Sequence, residues 1–173
     1  MTMINRLKEC IRDVPNFPRK GIVFRDLTPV LEQPVLFREL ISALAAPWRD
    51  AGLTRIAAIE SRGFLFGAPM ALELGVGLSL VRKAGKLPHQ TLRRAYQLEY
   101  GEGVLELHAN TVSARDRVLI VDDLLATGGT AAAAAHLLRD AGADVTGSSF
   151  VVELSGLEGR RHLQGRVEAL LHY

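Results

Sequence analysis

A chain of 173 residues with 48% hydrophobic and 23% charged side chains has the make-up of a folded globular protein, and this excludes a disordered polar chain. A formal net charge of +2 is too small for the clustered basic surface that nucleic acid or a membrane face demands, so neither partner is expected. Cys10 is the only cysteine, which excludes an intrachain disulfide and a cysteine-based zinc site and suits a reducing, cytoplasmic setting.

The opening segment MTMINRLKECIRDV puts Ile4, Leu7, Ile11 and Val14 at helical spacing. It mixes charges into the pattern, unlike a signal peptide. Residues 15–29 hold three prolines and Gly21 around Ile22-Val23-Phe24, predicting an irregular arm with one brief strand. A packing helix is expected over 34–49, with Leu36, Phe37, Leu40, Ile41 and Leu44 on one face and Pro34 in its first turn. Trp48 should pack at its end. Residues 55–59 read as a short buried strand, 64–74 as a helix and 76–81 as a second strand. Residues 82–110 crowd Lys83, Lys86, Arg93 and Arg94 among glycines and Pro88, predicting a loop or hairpin over the sheet edge. Residues 118–121 form the most strand-like run, followed by an alanine-rich helix over 130–141 and a strand over 145–153. The ending RVEALLHY gives no clear pattern. Strands alternating with helices at these distances predict βαβ units and a largely parallel sheet.

The most informative string is VLIVDDLLATGGT, residues 118–130. A buried strand brings Asp122 and Asp123 to the carboxyl edge of a parallel sheet, where open α/β folds hold their ligands. The glycines let successive N–H groups converge, and Thr130 opens a helix whose positive end faces the turn, a geometry that binds phosphate. Taken alone, Thr-Gly-Gly-Thr fits a plain strand-to-helix turn as well. The adjacent carboxylates favour a phosphorylated sugar with free hydroxyls, and no Gly-Lys-Ser/Thr follows to make a Walker loop. Glu60-Ser61-Arg62-Gly63-Phe64 ends another buried strand, so Arg62 should lie at the same edge, where its fork can grip an anion. Phe24 can either offer a stacking face to a flat ring or pack in the core. The five histidines show no metal-like spacing.

The string over 118–130 resembles the phosphoribosyl-pyrophosphate signature of the type I phosphoribosyltransferases, and Leu124-Leu125 within it resembles the adenine branch. SRGFLFGAP is similar to the family's pyrophosphate loop, VRKAGKLP to its basic turn, GIVFRDLTPVL to its base-recognition segment and QLEYG to its lid. The resemblance implies a single domain over 1–173 with a twisted, mainly parallel sheet and helices on both faces. An N-terminal hood would span about 1–33 and a flexible lid hairpin about 83–108. It implies an enzyme that transfers the phosphoribosyl group of 5-phospho-α-D-ribosyl 1-pyrophosphate to adenine, giving AMP and pyrophosphate in purine salvage. Asp122 and Asp123 would meet the ribose hydroxyls, and Ala126, Thr127, Gly128, Gly129 and Thr130 the 5′-phosphate. Ser61, Arg62, Arg82, Lys83 and Lys86 would serve the pyrophosphate, with Arg82 reaching toward a second subunit of a homodimer. Phe24 would stack on the base while the main chain of Val23 and Arg25 reads its edge, leaving Arg25 and Asp26 to pair. Glu99 would manage a purine ring proton and Tyr100 would close the lid. Mg²⁺ is expected, held mainly by substrate and water with no direct protein ligand assigned. Two rivals are an enzyme of the same fold acting on another base and a non-catalytic nucleotide sensor; the latter would need a nucleic-acid surface or an added domain.

Overall fold

The computed structural model describes residues 1–97 and 102–173 of the chain, which divides into two compact units, Met1–Ala43 and Leu44–Tyr173. In the first unit, helix α1 (Met3–Cys10) starts where the Thr2 hydroxyl accepts the Asn5 N–H at 3.3 Å and stops at Ile11, whose backbone is extended. Val14 therefore leaves the expected helix for strand β1 (Arg12–Pro15), because a residue before proline is driven out of the helical region. Strand β1 pairs antiparallel with β2 (Val23–Asp26), setting Val14 opposite Phe24 and Asp13 opposite Arg25. The Asp26 carboxylate accepts the Thr28 N–H and hydroxyl at 3.0 and 2.8 Å, a local turn that leads into the short helix α2 (Thr28–Leu31), with Pro29 in its first turn. Helix α3 (Pro34–Ala45) contains the boundary between the units. Its expected continuation to residue 49 becomes a 3₁₀ turn, Ala46–Trp48, because Pro47 can offer no N–H to the helical ladder.

The second unit is built on a seven-stranded sheet. Its strands are β3 (Arg55–Ile59), β4 (Gly77–Lys83), β5 (Thr91–Gln97), β6 (Glu102–His108), β7 (Arg117–Leu125), β8 (Asp144–Glu153) and β9 (Arg166–His172), in the order β5-β6-β4-β3-β7-β8-β9. The β4-β3-β7-β8-β9 pairings are parallel, and β5 and β6 join antiparallel at the β4 edge. The basic stretch thus extends the sheet as a hairpin, with Leu105 and Leu107 buried in the core and Leu92 and Tyr96 packed on it. The uninterpreted ending RVEALLHY is the edge strand β9.

Helix α4 (Gly63–Leu74) covers one face and α5 (Gly129–Asp140) the other. Alternation along β3 decides this. Ala57 and Ile59 share a core with Val118, Ile120 and the alanines of α5, whereas a Cβ at Gly67 of α4 would lie 2.6 Å from the Ala58 side chain on the other face. Small residues let both helices lie close to the sheet. Trp48 is buried, with its ring against Gly147 and the Arg166 guanidinium 5.1 Å from the ring centre. Among the described residues no helix is long and apolar enough to cross a membrane.

Candidate active site

Strand β3 leads through α4 to β4 on one side, while β7 lies on its other side and leads through α5 to β8. The loops leaving β3 and β7 therefore diverge, opening a crevice at their carboxyl ends, the place where open α/β sheets bind ligands. Here a cleft of about 310 Å³ is lined by Glu60, Arg62, Lys83, Tyr96, Leu105 and the continuous run Asp122–Ala131. Strand β7 does not stop at Val121 as expected. It runs to Leu125 because Leu124 and Leu125 find partners in Val152 and Glu153 of β8, so both aspartates are held on extended, sheet-bonded backbone. Gly128 then turns the chain at φ +82° into α5, a conformation open to glycine at little steric cost.

The SRG turn and the aspartates meet through Gly63. A Cβ there would lie 2.7 Å from the Val121 carbonyl oxygen and 3.0 Å from an Asp122 carboxylate oxygen. Arg62, the residue before it, places Nε 2.9 Å from Oδ2 of Asp123, which is 3% exposed. The Asp123 N–H donates to Oδ1 of Asp122 at 2.9 Å. Burial raises the pKa of Asp122 well above the ordinary carboxylate value, and the neighbouring Asp123 charge adds to it. Burial also raises Asp123, against the opposing pull of Arg62. The pair is a costly arrangement for a protein without ligand, and cationic or hydroxyl-bearing ligands would relieve it.

Two glutamates that the sequence did not single out shape the basic turn. Glu60 accepts Arg82 Nε at 3.1 Å and the Lys83 N–H at 3.0 Å; burial pushes its pKa up, yet these partners bring it below the usual value. Glu106, 0% exposed, accepts the N–H groups of Lys86 and Leu87, each at 2.7 Å, and faces Arg93 at 3.3 Å. Its pKa is also lowered, since these backbone donors and Arg93 outweigh burial. The one sequence signal for Glu106 is a carboxylate between two core leucines. Arg82 spends its other end on the Lys86 carbonyl at 3.0 Å and lies 5.9 Å from the Phe64 ring centre.

The family model for the phosphoribosyl transferase domain matches residues 34–166. The chain is 52% identical over 172 residues to an adenine phosphoribosyltransferase of Anaeromyxobacter dehalogenans (strain 2CP-C), covering 99% of this chain and 100% of that one. The chain belongs to the adenine phosphoribosyltransferase family. Solved adenine phosphoribosyltransferases resemble it throughout. That of Thermoanaerobacter pseudethanolicus ATCC 33223 has a TM-score of 0.96 at 47% identity, with 98% of this chain and 99% of that one covered. That of Saccharomyces cerevisiae, complexed with D-2,5-dideoxy-2,5-imino-altritol 1,6-bisphosphate and adenine, has a TM-score of 0.93 at 43% identity, covering 98% of each.

Of the residues this family likeness singles out, Arg62, Lys83, Asp122, Asp123 and Ala126 to Thr130 line one cleft. Ser61 sits in the exposed turn between them and β3. Lys86 is exposed on the basic turn. Val23, Phe24 and Arg25 lie on β2 of the first unit, where the Phe24 ring meets Phe17 edge-on at 5.3 Å. Arg25 pairs with Asp13, and Asp26 faces Arg12 at 3.7 Å. Each charge thus finds a partner directly across the β1–β2 ladder. Glu99 and Tyr100 lie outside the described residues.

Proposed function

We propose that this adenine phosphoribosyltransferase works by holding the activated sugar at the carboxyl edge of its sheet while adenine displaces pyrophosphate. The observation that carries the proposal is the convergence of Arg62, Asp122, Asp123 and the loop over 126–130 on one cleft. The substrates are adenine and 5-phospho-α-D-ribosyl 1-pyrophosphate, the products AMP and pyrophosphate. A ring nitrogen of adenine forms the bond to the anomeric carbon as the bond to pyrophosphate breaks, and positive charge develops on the ribose ring. No covalent bond to the protein is needed, so catalysis rests on placement, neutralisation of the leaving group and exclusion of water.

In this reading the amides of residues 126–130, the Thr130 hydroxyl and the positive end of α5 hold the 5′-phosphate. The Asp122 and Asp123 carboxylates accept hydrogen bonds from the ribose hydroxyls, which replaces the solvation they lost on burial. Arg62, Lys83 and Lys86 receive the pyrophosphate, with Arg62 exchanging Asp123 for the leaving group. Ser61 supports that turn, and Arg82 reaches a second subunit by exchanging its bonds to Glu60 and the Lys86 carbonyl. Phe24 stacks on adenine, the main chain of Val23 and Arg25 reads its edge, Glu99 manages its proton and Tyr100 covers it. Among the described residues no group of three or more His, Cys, Asp or Glu side chains could hold a metal. The two adjacent aspartates nonetheless offer hard oxygens that fit Mg²⁺ bound chiefly through substrate and water. When bound, that ion neutralises charge on the pyrophosphate. In this reading the enzyme works in the cytoplasm, where the single cysteine stays reduced.

Arg62→Ala should weaken the activated sugar and pyrophosphate by roughly tenfold or more, the worth of a charge-assisted hydrogen bond, and leave AMP little changed. Equal weakening of all three in titration calorimetry would place Arg62 elsewhere in the binding scheme. The homodimer is supported by apolar surface on α4 and β4. Leu72 is 85% exposed, and Leu65, Leu78 and Leu80 are exposed as well. Leu78 and Leu80 share the α4 side of the sheet, being in register with Ile56 and Ala58. Sedimentation velocity should give twice the chain mass, and Leu72→Glu should shift it toward one chain. A base panel tests the choice of adenine: adenine should be consumed far faster than hypoxanthine, guanine or xanthine, and the reverse would contradict it.

A further inference from the structure

Beyond β8 the chain makes two turns of 3₁₀ helix, Ser155–Leu157 and Gly159–His162, before entering β9. The second of these lies directly against the back of the phosphate loop. A Cβ at Gly159 would be 2.2 Å from the Ala126 carbonyl oxygen and 3.0 Å from the Gly128 nitrogen; a Cβ at Gly128 would be 2.3 Å from the Gly159 carbonyl oxygen. Backbone thus touches backbone, and each glycine is required by the other. The contact is reciprocal and leaves room for no side chain at either position.

The next residue pins the turn in place. Arg160 sets Nε 2.8 Å from both carboxylate oxygens of Glu153 and Nη1 2.7 Å from the Val167 carbonyl. Glu153 is 4% exposed at the end of β8, and His172 of β9 stands 3.3 Å from it. Immediately after it, the Leu154 N–H donates to the carbonyl of Leu125, the last residue before the loop, at 2.9 Å. The Glu153–Arg160 pair therefore ties β8, β9 and the Gly159 turn to the root of the loop. A run of Thr-Gly-Gly-Thr loses much backbone freedom when it closes on a phosphate. A rigid backing removes part of that cost before the ligand arrives.

We propose that Gly159, Arg160 and Glu153 are positioning residues that brace the loop over 126–130 in its phosphate-binding shape, so that they set affinity for the sugar 5′-phosphate without touching it. The proposal rests on the reading that this loop holds the 5′-phosphate. Its signature is selectivity between ligands: ribose 5-phosphate and AMP depend on the loop, pyrophosphate does not.

The test is titration calorimetry of the full chain with ribose 5-phosphate, AMP and pyrophosphate. The variants are Gly159→Ala, Arg160→Lys, the double replacement Glu153→Gln with Arg160→Gln, and Thr130→Ala as a direct change to the loop. Gly159→Ala and the double variant should each raise the dissociation constants of ribose 5-phosphate and AMP roughly tenfold, the worth of about one newly freed backbone residue. The pyrophosphate constant should stay within about twofold, since the loop contributes nothing to it. Arg160→Lys keeps the charge but not the fork, and should fall between wild type and the double variant. The double variant leaves no unpaired buried charge, so it reports even if Gly159→Ala fails to fold. Wild-type ribose 5-phosphate binding in these variants, with loss in Thr130→Ala, would overturn the brace while sparing the loop. Undiminished binding in Thr130→Ala would overturn the loop reading and the brace with it. Weakening of all three ligands alike, or loss of folding in both variants, would make the segment a general support of the sheet edge and also contradict the proposal.

Discussion

Asp122→Asn and Asp123→Asn should each lower turnover about ten- to over a hundredfold while the protein stays folded, because each removes a charge-assisted hydrogen bond to the sugar worth roughly 1.5–3 kcal/mol. Both side chains line the cleft, Asp123 is almost fully buried, and Arg62 answers its charge at 2.9 Å. The same burial gives Asp122→Asn a second, opposite effect. Asp122 has a pKa raised in the folded protein, so the stability it contributes is full below its unfolded value, about 3.9, and is lost as pH rises through the folded value. At neutral pH the ionised pair is a cost. Asp122→Asn should therefore melt higher than wild type at pH 7.5, by about 2–4 °C for each kcal/mol relieved, and the gain should shrink toward pH 4. Calorimetric scans at the two pH values, beside steady-state rates, check both halves. A variant that loses neither activity nor the pH-dependent strain would remove the aspartates from the sugar site.

The largest effect is expected at Glu99. In QLEYG it lies between Tyr96 and Tyr100 and beside Gly101 and Gly103, a composition suited to a segment that covers a flat base. Glutamine keeps the length and some hydrogen bonding of glutamate but cannot take up a proton. If Glu99 manages the purine ring proton, Glu99→Gln should lower turnover by ~10²–10⁴-fold with a smaller change in sugar binding. Pre-steady-state measurement of AMP formation across a pH series checks this. Near-normal rates at every pH would take Glu99 out of the proton transfer.

Local chemistry was legible in the sequence where it depends on neighbours in the chain. The strand before Asp122, the glycine turn and the alanine-rich helix follow one another and are read directly from residue type. Contacts between distant segments were not legible in this way. Strand β9 has exposed ends, four half-buried residues between them and Leu171 buried, so it lacks the alternation that marks a half-buried strand. The Gly128–Gly159 contact joins two glycines 31 positions apart, and nothing near either announces the other. The cross-strand partners of Arg25 and Asp26, which are Asp13 and Arg12, are likewise not announced by the residues beside them. Glu106 shows the same limit, since its partners on the basic turn lie about twenty residues earlier. The site's phosphate and sugar ends were thus visible from motif chemistry, and the residues that hold them in place came from the fold.

The central claim is that this cleft joins adenine to the activated sugar. The most direct measurement is to incubate the purified chain with labelled adenine, 5-phospho-α-D-ribosyl 1-pyrophosphate and Mg²⁺ and to follow AMP and pyrophosphate together. Equal amounts of the two products should appear, with no AMP when the activated sugar is replaced by ribose 5-phosphate. Release of pyrophosphate without AMP, or no turnover of adenine under any of these conditions, would contradict the account.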